Sequence, residues 1–299
     1  ILDECGGRMP VQISAVPEGT KLEAGNAVAV IRNTVRGFIW PVGYIETLIM
    51  RGCWYGSTVA TYSANCVDLF RTALKESSDL EGADLEGALA FKFHDFGARG
   101  VNVGEGASVA GSAHALNSSG SDTVEGILEA LMVYDADSMS AFSIPAAEHS
   151  TITSWGEKNE IPSYRNMLEV FGGKYPFVAV VSDSYDQENA VDNIWGGTLR
   201  EEVLSCGSTV VVRLDSGDPL ETIPLTLNSL WESYGGTINK KGYKVINPSA
   251  RIIQGDGVSL FTTKAILKAV LDAGFSAENL ALGSGGKLLQ SHSRDDWSF

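Results

Sequence analysis

Residues 209–219 read Thr-Val-Val-Val-Arg-Leu-Asp-Ser-Gly-Asp-Pro, and residues 220–234 continue with the apolar spacing of a helix. A run of valines favours a buried strand, because β-branched side chains pack well on a pleated surface. The polar stretch from Arg213 to Gly217 begins where this strand ends. Strand, polar loop and helix together form the repeating unit of a parallel α/β sheet.

The same unit recurs along the chain from about residue 88. Apolar runs that end in polar, turn-rich loops begin at Ala88, Phe142, Phe177, Thr209, Arg251 and Leu280. Helices are predicted over 124–134, 220–234 and 262–273. A parallel sheet binds its ligand at the carboxyl ends of its strands, and six such loops could face one mouth. We therefore predict an α/β fold with an irregular (β/α) barrel. An open doubly wound sheet is the alternative and would use fewer of these loops.

The N-terminal part has a different pattern. Alternating stretches at 11–13 and 27–31, broken by glycine and proline, predict short antiparallel strands within residues 11–50. A helix is predicted over 57–75. The expected domains are a partial β-rich unit at 1–56, a linking helix at 57–87, and an α/β barrel at 88–299 that is incomplete at its C-terminal end. The chain begins at Ile1 without a signal-peptide pattern, which suggests part of a longer polypeptide.

Charge and composition exclude some classes of partner. The 299 residues carry 37 acidic and 22 basic side chains, a net charge of −15, which argues against nucleic acid. The longest apolar runs, such as 177–181, fall far short of the roughly 20 residues that span a membrane. The four cysteines fit no zinc or redox motif, so we expect reduced thiols in a cytoplasmic protein.

Three glycine-containing loops carry groups suited to a phosphorylated sugar. Arg213 with Asp215, and Asp256 between Gly255 and Gly257, place carboxylates at strand ends, where they suit a sugar diol, Mg²⁺ or both. The alternative to a ligand-binding role is that these loops are capped turns, with the aspartate at a helix N-cap. The Gly-Ser-Gly-Gly stretch at 283–286 could close backbone N–H groups on a phosphate, or form a simple turn.

Other residues suit a planar ring and acid–base chemistry. His149 stands out among four histidines because Glu148 could orient its imidazole, whereas no pair of histidines has metal-ligand spacing. Phe96 and Arg99 suit a planar ring with a polar group, or are a core aromatic and a surface cation. Asp122 precedes a predicted helix and fits an N-cap.

Taken together, these motifs resemble the nicotinamide phosphoribosyltransferase family over nearly the whole chain. The matching stretches, in the family's order, are 145–153 (Pro-Ala-Ala-Glu-His-Ser-Thr-Ile-Thr), 182–186 (Ser-Asp-Ser-Tyr-Asp), Arg213 with 215–217, 254–257 and 283–286. The resemblance implies a type II phosphoribosyltransferase, with an irregular α/β barrel, a mostly β domain and a homodimer with shared active sites. It implies the reaction of nicotinamide with 5-phosphoribosyl-1-pyrophosphate, assisted by Mg²⁺, to give nicotinamide mononucleotide and pyrophosphate.

The resemblance also implies roles for individual residues. Phe96 would stack on the nicotinamide ring, and Asp122 would accept a hydrogen bond from its amide. The catalytic set would be His149, phosphorylated by ATP, with Glu148, Arg213 and Asp215. The remaining substrate contacts would be Arg99 at the amide and pyrophosphate, Ser143, Ser182 and Asp186 around the base, Gly255 and Asp256 at the ribose, and Gly285, Gly286 and Arg294 at the 5-phosphate.

The sequence departs from the family in two respects. Family chains extend beyond both ends, where an aromatic residue would stack on the partner subunit's nicotinamide and lysines would reach the phosphates, so this chain alone is expected to be a poor enzyme. Lys287 stands where a third glycine is usual. Two other functions stay open. A nicotinate phosphoribosyltransferase is disfavoured because Asp122 would repel a carboxylate, and a non-catalytic nucleotide-binding homologue is disfavoured by the matched polar residues.

Overall fold

An antiparallel hairpin and one long helix precede the central sheet in the computed structural model, which describes residues 3–296. Strand β1 (Val11–Ala15) pairs with β2 (Ala29–Asn33), which confirms short antiparallel strands in this region. Helix α1 (Pro41–Ser77) starts sixteen residues before the predicted helix. Glycines at 43 and 52 weaken its sequence signal, whereas Pro41 is tolerated in the first turn. It crosses the boundary predicted at 56/57, and the division into domains stays a prediction.

Seven parallel strands form the central sheet, in the order β4-β3-β11-β10-β7-β6-β5. They are β3 (Phe93–Asp95), β4 (Gly120–Ser121), β5 (Ala146–Ala147), β6 (Phe177–Val181), β7 (Thr209–Leu214), β10 (Ala250–Gln254) and β11 (Leu280–Ser284). A separate antiparallel hairpin of β8 (Gly236–Ile238) and β9 (Lys244–Ile246) was not predicted. The strand predicted from Ala88 begins five residues later, because residues 82–89 form a helix.

A bent segment at 142–147 joins the two edges of this sheet. At one end, the Phe142 N–H donates to Ser119 O at 2.8 Å, and the Ser121 N–H donates to Phe142 O at 3.1 Å. At the other end, β5 pairs in parallel with β6. The strands therefore follow one another around a closed ring in chain order. This confirms the irregular barrel rather than the open sheet.

Helices cover the outside of the ring. They are α2 (Gly82–Leu89), α3 (Gly104–Ala115), α4 (Val124–Met132), α5 (His149–Thr153), α6 (Glu160–Phe171), α7 (Gln187–Asn189), α8 (Arg200–Ser205), α9 (Pro219–Tyr234), α10 (Leu260–Asp272) and α11 (Gly286–Leu289), with a π-helix at Ala190–Thr198. The helices predicted over 124–134, 220–234 and 262–273 correspond to α4, α9 and α10. Between residues 3 and 296, no helix combines the length and apolarity needed to cross a membrane.

Alternating strand residues divide the core into two layers. Val178 and Val180 of β6 belong to the large cluster between the sheet and the helices. Ala179, between them, packs in a smaller cluster with Val211 and Ile253, against Phe96, Ile144 and Ala281. Successive strand side chains face opposite sides of a sheet, so the smaller cluster fills the inside of the barrel. The site must then lie above it, at the strand ends.

A buried histidine links the outer helices to β4. The side chain of His114 is fully buried, with Nε2 3.0 Å from Gly120 O and Nδ1 2.9 Å from Ser63 Oγ. Since a carbonyl only accepts, Nε2 carries the proton and Nδ1 accepts from the serine hydroxyl. Burial lowers the pKa of His114 below its ordinary value, so the folded protein keeps this ring neutral.

Lowering the pH should therefore destabilise the protein through His114. Below about pH 6.5, the unfolded chain binds a proton at this position and the folded chain does not, so the free energy of unfolding falls as pH falls. One such proton changes the free energy of unfolding by at most about 1.4 kcal/mol per pH unit. His114→Gln keeps a donor and an acceptor but cannot titrate. Urea unfolding at pH 7.5 and 5.5 should show a smaller pH dependence in the variant, and equal pH dependence would contradict this role.

Candidate functional site

Arg213 and Asp215 meet at the carboxyl end of β7. The Arg213 guanidinium donates to Asp215 Oδ2 at 2.7 Å, and its central carbon lies 5.5 Å from the centroid of the Phe96 ring. Both charged side chains are mostly buried, 17% and 12% exposed. Arg213 Nε is also buried and has no hydrogen-bond partner within residues 3–296. The guanidinium therefore holds a carboxylate, covers an aromatic ring and keeps a donor for a ligand.

His149 lies beside this pair at the start of α5. Its Nε2 is 3.0 Å from Asp183 Oδ1, whereas its Nδ1 is 3.8 Å from Asp215 Oδ2, beyond hydrogen-bond distance. A carboxylate only accepts, so Nε2 carries the proton, and the Nδ1 lone pair accepts no hydrogen bond from residues 3–296. The Asp183 side chain is 4% exposed and the imidazole 43%. The arrangement is a nucleophilic or basic nitrogen, oriented by a buried carboxylate and open to solvent.

The carboxylate that orients His149 is not the predicted one. Glu148 accepts from the Ser150 hydroxyl, and its backbone N–H donates to Thr151 Oγ1 at 3.1 Å, which fixes the first turn of α5. Asp183, 34 residues away in sequence, takes the predicted role. Asp183 is part of the family-like stretch at 182–186, but the sequence alone assigned it no function. Its position two residues after the apolar run at 177–181 was the signal that could have identified it.

Gly255 allows β10 to approach the Arg213–Asp215 pair. A Cβ at this position would overlap Asp215 Oδ1 and lie 3.2 Å from Arg213 Nε. Only glycine leaves room for this contact. Asp256 follows with an exposed side chain, while its backbone oxygen accepts from Gln254 Nε2 at 2.9 Å. Gly255 therefore lies against the Arg213–Asp215 pair, with the exposed Asp256 next to it.

Asp122 and Ser143 form a second polar group on the other side of the mouth. The Ser143 hydroxyl donates to Asp122 Oδ1 at 2.5 Å. Because the N-cap of α4 is Thr123, the interpretation of Asp122 as the N-cap is wrong. Both residues are exposed, at the junction where the bent segment closes the barrel on β4. Asp122 therefore presents a carboxylate to whatever enters there.

Phe96 lies over the inner core, at the end of β3. A Cβ on Gly283 would overlap the Phe96 ring, so glycine in β11 is what leaves space for it. The His94 ring is 6.1 Å from the Phe96 ring, and burial lowers the pKa of His94 to about 4. His94 is therefore neutral at pH 7. Arg99 is exposed in the short turn Ala98–Gly100 that follows Phe96.

The remaining predicted residues have other local partners. Ser182 is fully buried, where it accepts from Trp195 Nε1 and donates to Val180 O, both at 2.9 Å. Asp186 caps α7 by accepting from the Asn189 N–H at 3.0 Å. Arg294 pairs with Asp295 and lines a cavity of about 250 Å³ beside α1. Gly285 and Gly286 form the turn from β11 into α11.

Solved structures of similar fold support the barrel. Nicotinate-nucleotide pyrophosphorylase from Pyrococcus furiosus superimposes with a TM-score of 0.54 at 16% identity, covering 94% of this chain and 58% of that one. Human nicotinic acid phosphoribosyltransferase superimposes with a TM-score of 0.53 at 16% identity, covering 92% and 55%. At this identity the likeness concerns the fold alone.

Curated relatives are closer in sequence. A protein of Xanthomonas campestris pv. campestris (strain 8004), named nicotinamide phosphoribosyltransferase, is 46% identical over 299 residues, which is 100% of this chain and 62% of that protein. The protein of the same name from Acinetobacter baylyi is 30% identical over 315 aligned positions, covering 98% and 60%. The chain thus spans about three fifths of the length of these relatives.

The barrel region also matches a family profile directly. The match to the nicotinate phosphoribosyltransferase (NAPRTase) family extends over residues 91–299, which includes every strand of the central sheet and every predicted site residue from Phe96 onward. The chain belongs to the nicotinate phosphoribosyltransferase family.

Proposed function

We propose that the protein transfers the phosphoribosyl group of 5-phosphoribosyl-1-pyrophosphate to nicotinamide, giving nicotinamide mononucleotide and pyrophosphate. The observation that carries this proposal is the meeting of Arg213, Asp215, His149 and Phe96 at one barrel mouth. The cluster offers a cation for a phosphate, a carboxylate for a hydroxyl and a ring face for a pyridine. The name of the relative that is 46% identical supports the same choice of base.

The base would bind between Phe96 and Asp122. The Phe96 ring offers a stacking face, and the free donor of Arg213 beside it suits an oxygen of the ligand. Asp122, already an acceptor from Ser143, could accept from the amide NH₂ of nicotinamide. A nicotinate carboxylate at the same place would meet a like charge, which favours the amide. Arg99 would contribute to binding of the base from the solvent-exposed side of the site.

The ribose and phosphates would occupy the other strand ends. Asp215, Gly255 and Asp256 lie together where the ribose hydroxyls would bind. Gly285, Gly286 and Arg294 would hold the 5-phosphate. In the reaction the ribose C1–O bond to pyrophosphate breaks and the C1–N bond to the pyridine nitrogen forms. Arg213 would stabilise the negative charge that develops on the departing pyrophosphate, and the mouth would hold the two reactants in line.

The carboxylates present would suit a Mg²⁺ ion that is carried mainly by the substrate. Residues 3–296 contain no cluster of three or more acidic, histidine or cysteine side chains able to hold a metal. Mg²⁺ commonly takes one or two protein carboxylates and completes its shell with phosphate oxygens and water. Asp215 or Asp256 could serve as such a carboxylate. The ion would neutralise pyrophosphate charge.

His149 would accept a phosphoryl group from ATP. The free Nδ1 lone pair would attack the γ-phosphorus, a P–N bond would form, and the bond to ADP would break. Asp183, on the Nε2–H, would stabilise the positive charge of the phosphorylated imidazole. Coupling to ATP would drive mononucleotide synthesis.

A homodimer in the cytoplasm completes the proposal. Exposed apolar side chains at Ile39, Trp40, Tyr44 and Leu48, around the start of α1, support an interface with a second copy. The four cysteines are free thiols, which supports a reducing compartment. Sedimentation of the purified protein would measure the oligomeric state.

The direct test is synthesis of nicotinamide mononucleotide by the purified protein from nicotinamide, 5-phosphoribosyl-1-pyrophosphate and Mg²⁺, with and without ATP. We expect product from nicotinamide and much less from nicotinate. If the protein converted nicotinate but not nicotinamide, the proposed substrate would be wrong and nicotinate would take its place. Binding without turnover of either base would favour the non-catalytic alternative.

Removing the charge of Asp122 should weaken the preference for nicotinamide over nicotinate. In Asp122→Asn, the amide can still bind the Ser143 hydroxyl, but the like-charge contact with nicotinate is lost. The ratio of kcat/KM for nicotinamide to that for nicotinate should fall by about 10–100-fold, as expected for 1–3 kcal/mol from one charged hydrogen bond. Ser143→Ala, which keeps the carboxylate, is the control and should preserve most of the ratio. An unchanged ratio in Asp122→Asn would remove Asp122 from the base site.

A further inference from the structure

The loop that carries Phe96 packs directly on the glycine turn after β11. The Phe96 N–H donates to Ser284 O at 2.9 Å. A Cβ on Gly97 would lie only 2.5–2.9 Å from the Leu289 side chain, so the two segments touch with no space between them. The loop at 96–100 belongs to the proposed base site, and the turn at 285–290 to the proposed phosphate site.

Gln290 belongs to the glycine turn, and its side chain bonds to the loop that carries Phe96. Its Nε2 donates to Gly97 O at 3.1 Å. Its backbone N–H donates to Gly286 O at 2.9 Å, and a Cβ on Gly286 would lie 3.1 Å from its Oε1. From the opposite side, the buried Asp95 carboxylate accepts from the Gly97 N–H at 2.8 Å. Gly97 is thus held between the buried carboxylate of strand β3 and a side chain of the glycine turn.

We propose that Gln290 is a positioning residue that couples occupancy of the Gly285–Gly286 turn to the affinity of the Phe96–Gly100 loop for the base. This inference rests on the proposed function of the two segments. A ligand phosphate on the turn would fix Gln290, which would in turn fix Gly97 and the Phe96 ring next to it. The base would then bind to a loop that is already ordered, and each ligand would strengthen the other by the same factor.

The coupling can be measured with ligands that do not react. Nicotinamide is titrated into the purified protein by calorimetry, with and without saturating ribose 5-phosphate, which carries the 5-phosphate but no pyrophosphate. In the unmodified protein we expect ribose 5-phosphate to strengthen nicotinamide binding by about fivefold or more, the low end of ordinary coupling between sites. In Gln290→Met, which keeps the length of the side chain but removes its amide, this factor should fall to about one.

A second variant tests the same contact from the other side. A Cβ on Gly100 would overlap the Gln290 amide, the far end of a flexible side chain, so Gly100→Ala should displace the amide without unfolding the loop. Gly100→Ala should lose the coupling as Gln290→Met does, and the double variant should lose nothing further. Gln12→Met, at an exposed position of β1, is the matched control and should keep the full factor.

The outcomes separate this inference from the function on which it rests. If both ligands bind but do so independently, or if the factor persists in Gln290→Met and Gly100→Ala, the coupling role is wrong and the proposed function stands. If neither ligand binds the unmodified protein, both proposals fail. In steady state, loss of the coupling should raise KM for nicotinamide much more than it lowers kcat. A general loss of structure would lower kcat as well.

Discussion

Replacing His149 with alanine should abolish ATP hydrolysis by the protein while leaving nicotinamide binding nearly unchanged. The proposed acceptor of the phosphoryl group is the free Nδ1 of this ring, and alanine offers no nucleophile in its place. We expect ATP turnover to fall by about 1,000-fold or more, the scale seen when a nucleophile is removed from a working site. The base should bind as before, because Phe96 and Asp122 are untouched. Phosphate release and nicotinamide titration measure the two quantities.

A pair of isosteric variants distinguishes the two carboxylates near this histidine. Asp183→Asn keeps an acceptor for the Nε2–H but removes the charge that would stabilise the phosphorylated ring, so ATP turnover should fall by about 10–100-fold. Glu148→Gln should change turnover little, because Glu148 binds Ser150 instead of the imidazole. A larger loss in Glu148→Gln than in Asp183→Asn would contradict the geometry. Unaltered ATP turnover in His149→Ala would make His149 purely structural.

The contrast between Glu148 and Asp183 shows what adjacency in sequence can and cannot predict. Glu148 is the sequence neighbour of His149, but successive residues at the start of a helix do not face each other. Asp183 reaches the imidazole because β5 and β6 are paired in parallel, so both strands end at the same place. Strand pairing is a long-range property, and a single sequence carries little information about it.

Side-chain alternation along β6 explains why the adjacent residues Ser182 and Asp183 have different partners, Trp195 and His149. Val178 and Val180 face the helices, and Ser182 continues on that side, where it binds the Trp195 indole. Asp183 continues on the side of Ala179, inside the barrel and at its mouth. The period of two was visible in the sequence, but which face was inside depended on the closed ring.

The parts of the fold that were predicted have strong local signals, and the parts that were missed do not. The valine-rich runs of β6 and β7 and the periodic helices α9 and α10 were found close to their bounds. Strand β4 is only Gly120 and Ser121, which show no apolar period. The run predicted from Phe142 forms only an isolated bridge to Gly120, and β5 follows after Pro145, at Ala146–Ala147. Their conformation is imposed by neighbouring strands, which is why Asp122 was taken for a helix cap.

Replacing Arg213 should have the second large effect, on phosphoribosyl transfer itself. The guanidinium pairs with Asp215 at 2.7 Å, lies 5.5 Å from the Phe96 ring and keeps Nε for a ligand. Arg213→Met would leave a mostly buried carboxylate without its partner, a change that costs about 3–5 kcal/mol when a buried ion pair is broken. The variant would also lose charge opposite the departing pyrophosphate. We expect kcat/KM to fall by about 100-fold or more, since each 1.4 kcal/mol is tenfold.

Arg213→Lys separates charge from shape at this position. Lysine restores a cation, but a single ammonium cannot bind Asp215, cover the Phe96 ring and donate to a ligand at once. It should therefore recover only part of the loss in Arg213→Met. Arg165→Lys is the matched control, because Arg165 pairs with Glu202 at 2.9 Å on the partly exposed surface of α6, where such a pair contributes about 0–1 kcal/mol. Steady-state rates and urea unfolding should be compared for all three variants. If Arg213→Lys were as active as the unmodified protein, a point charge would suffice at the barrel mouth, and the planar guanidinium between Asp215 and Phe96 would be a feature of packing rather than of transfer.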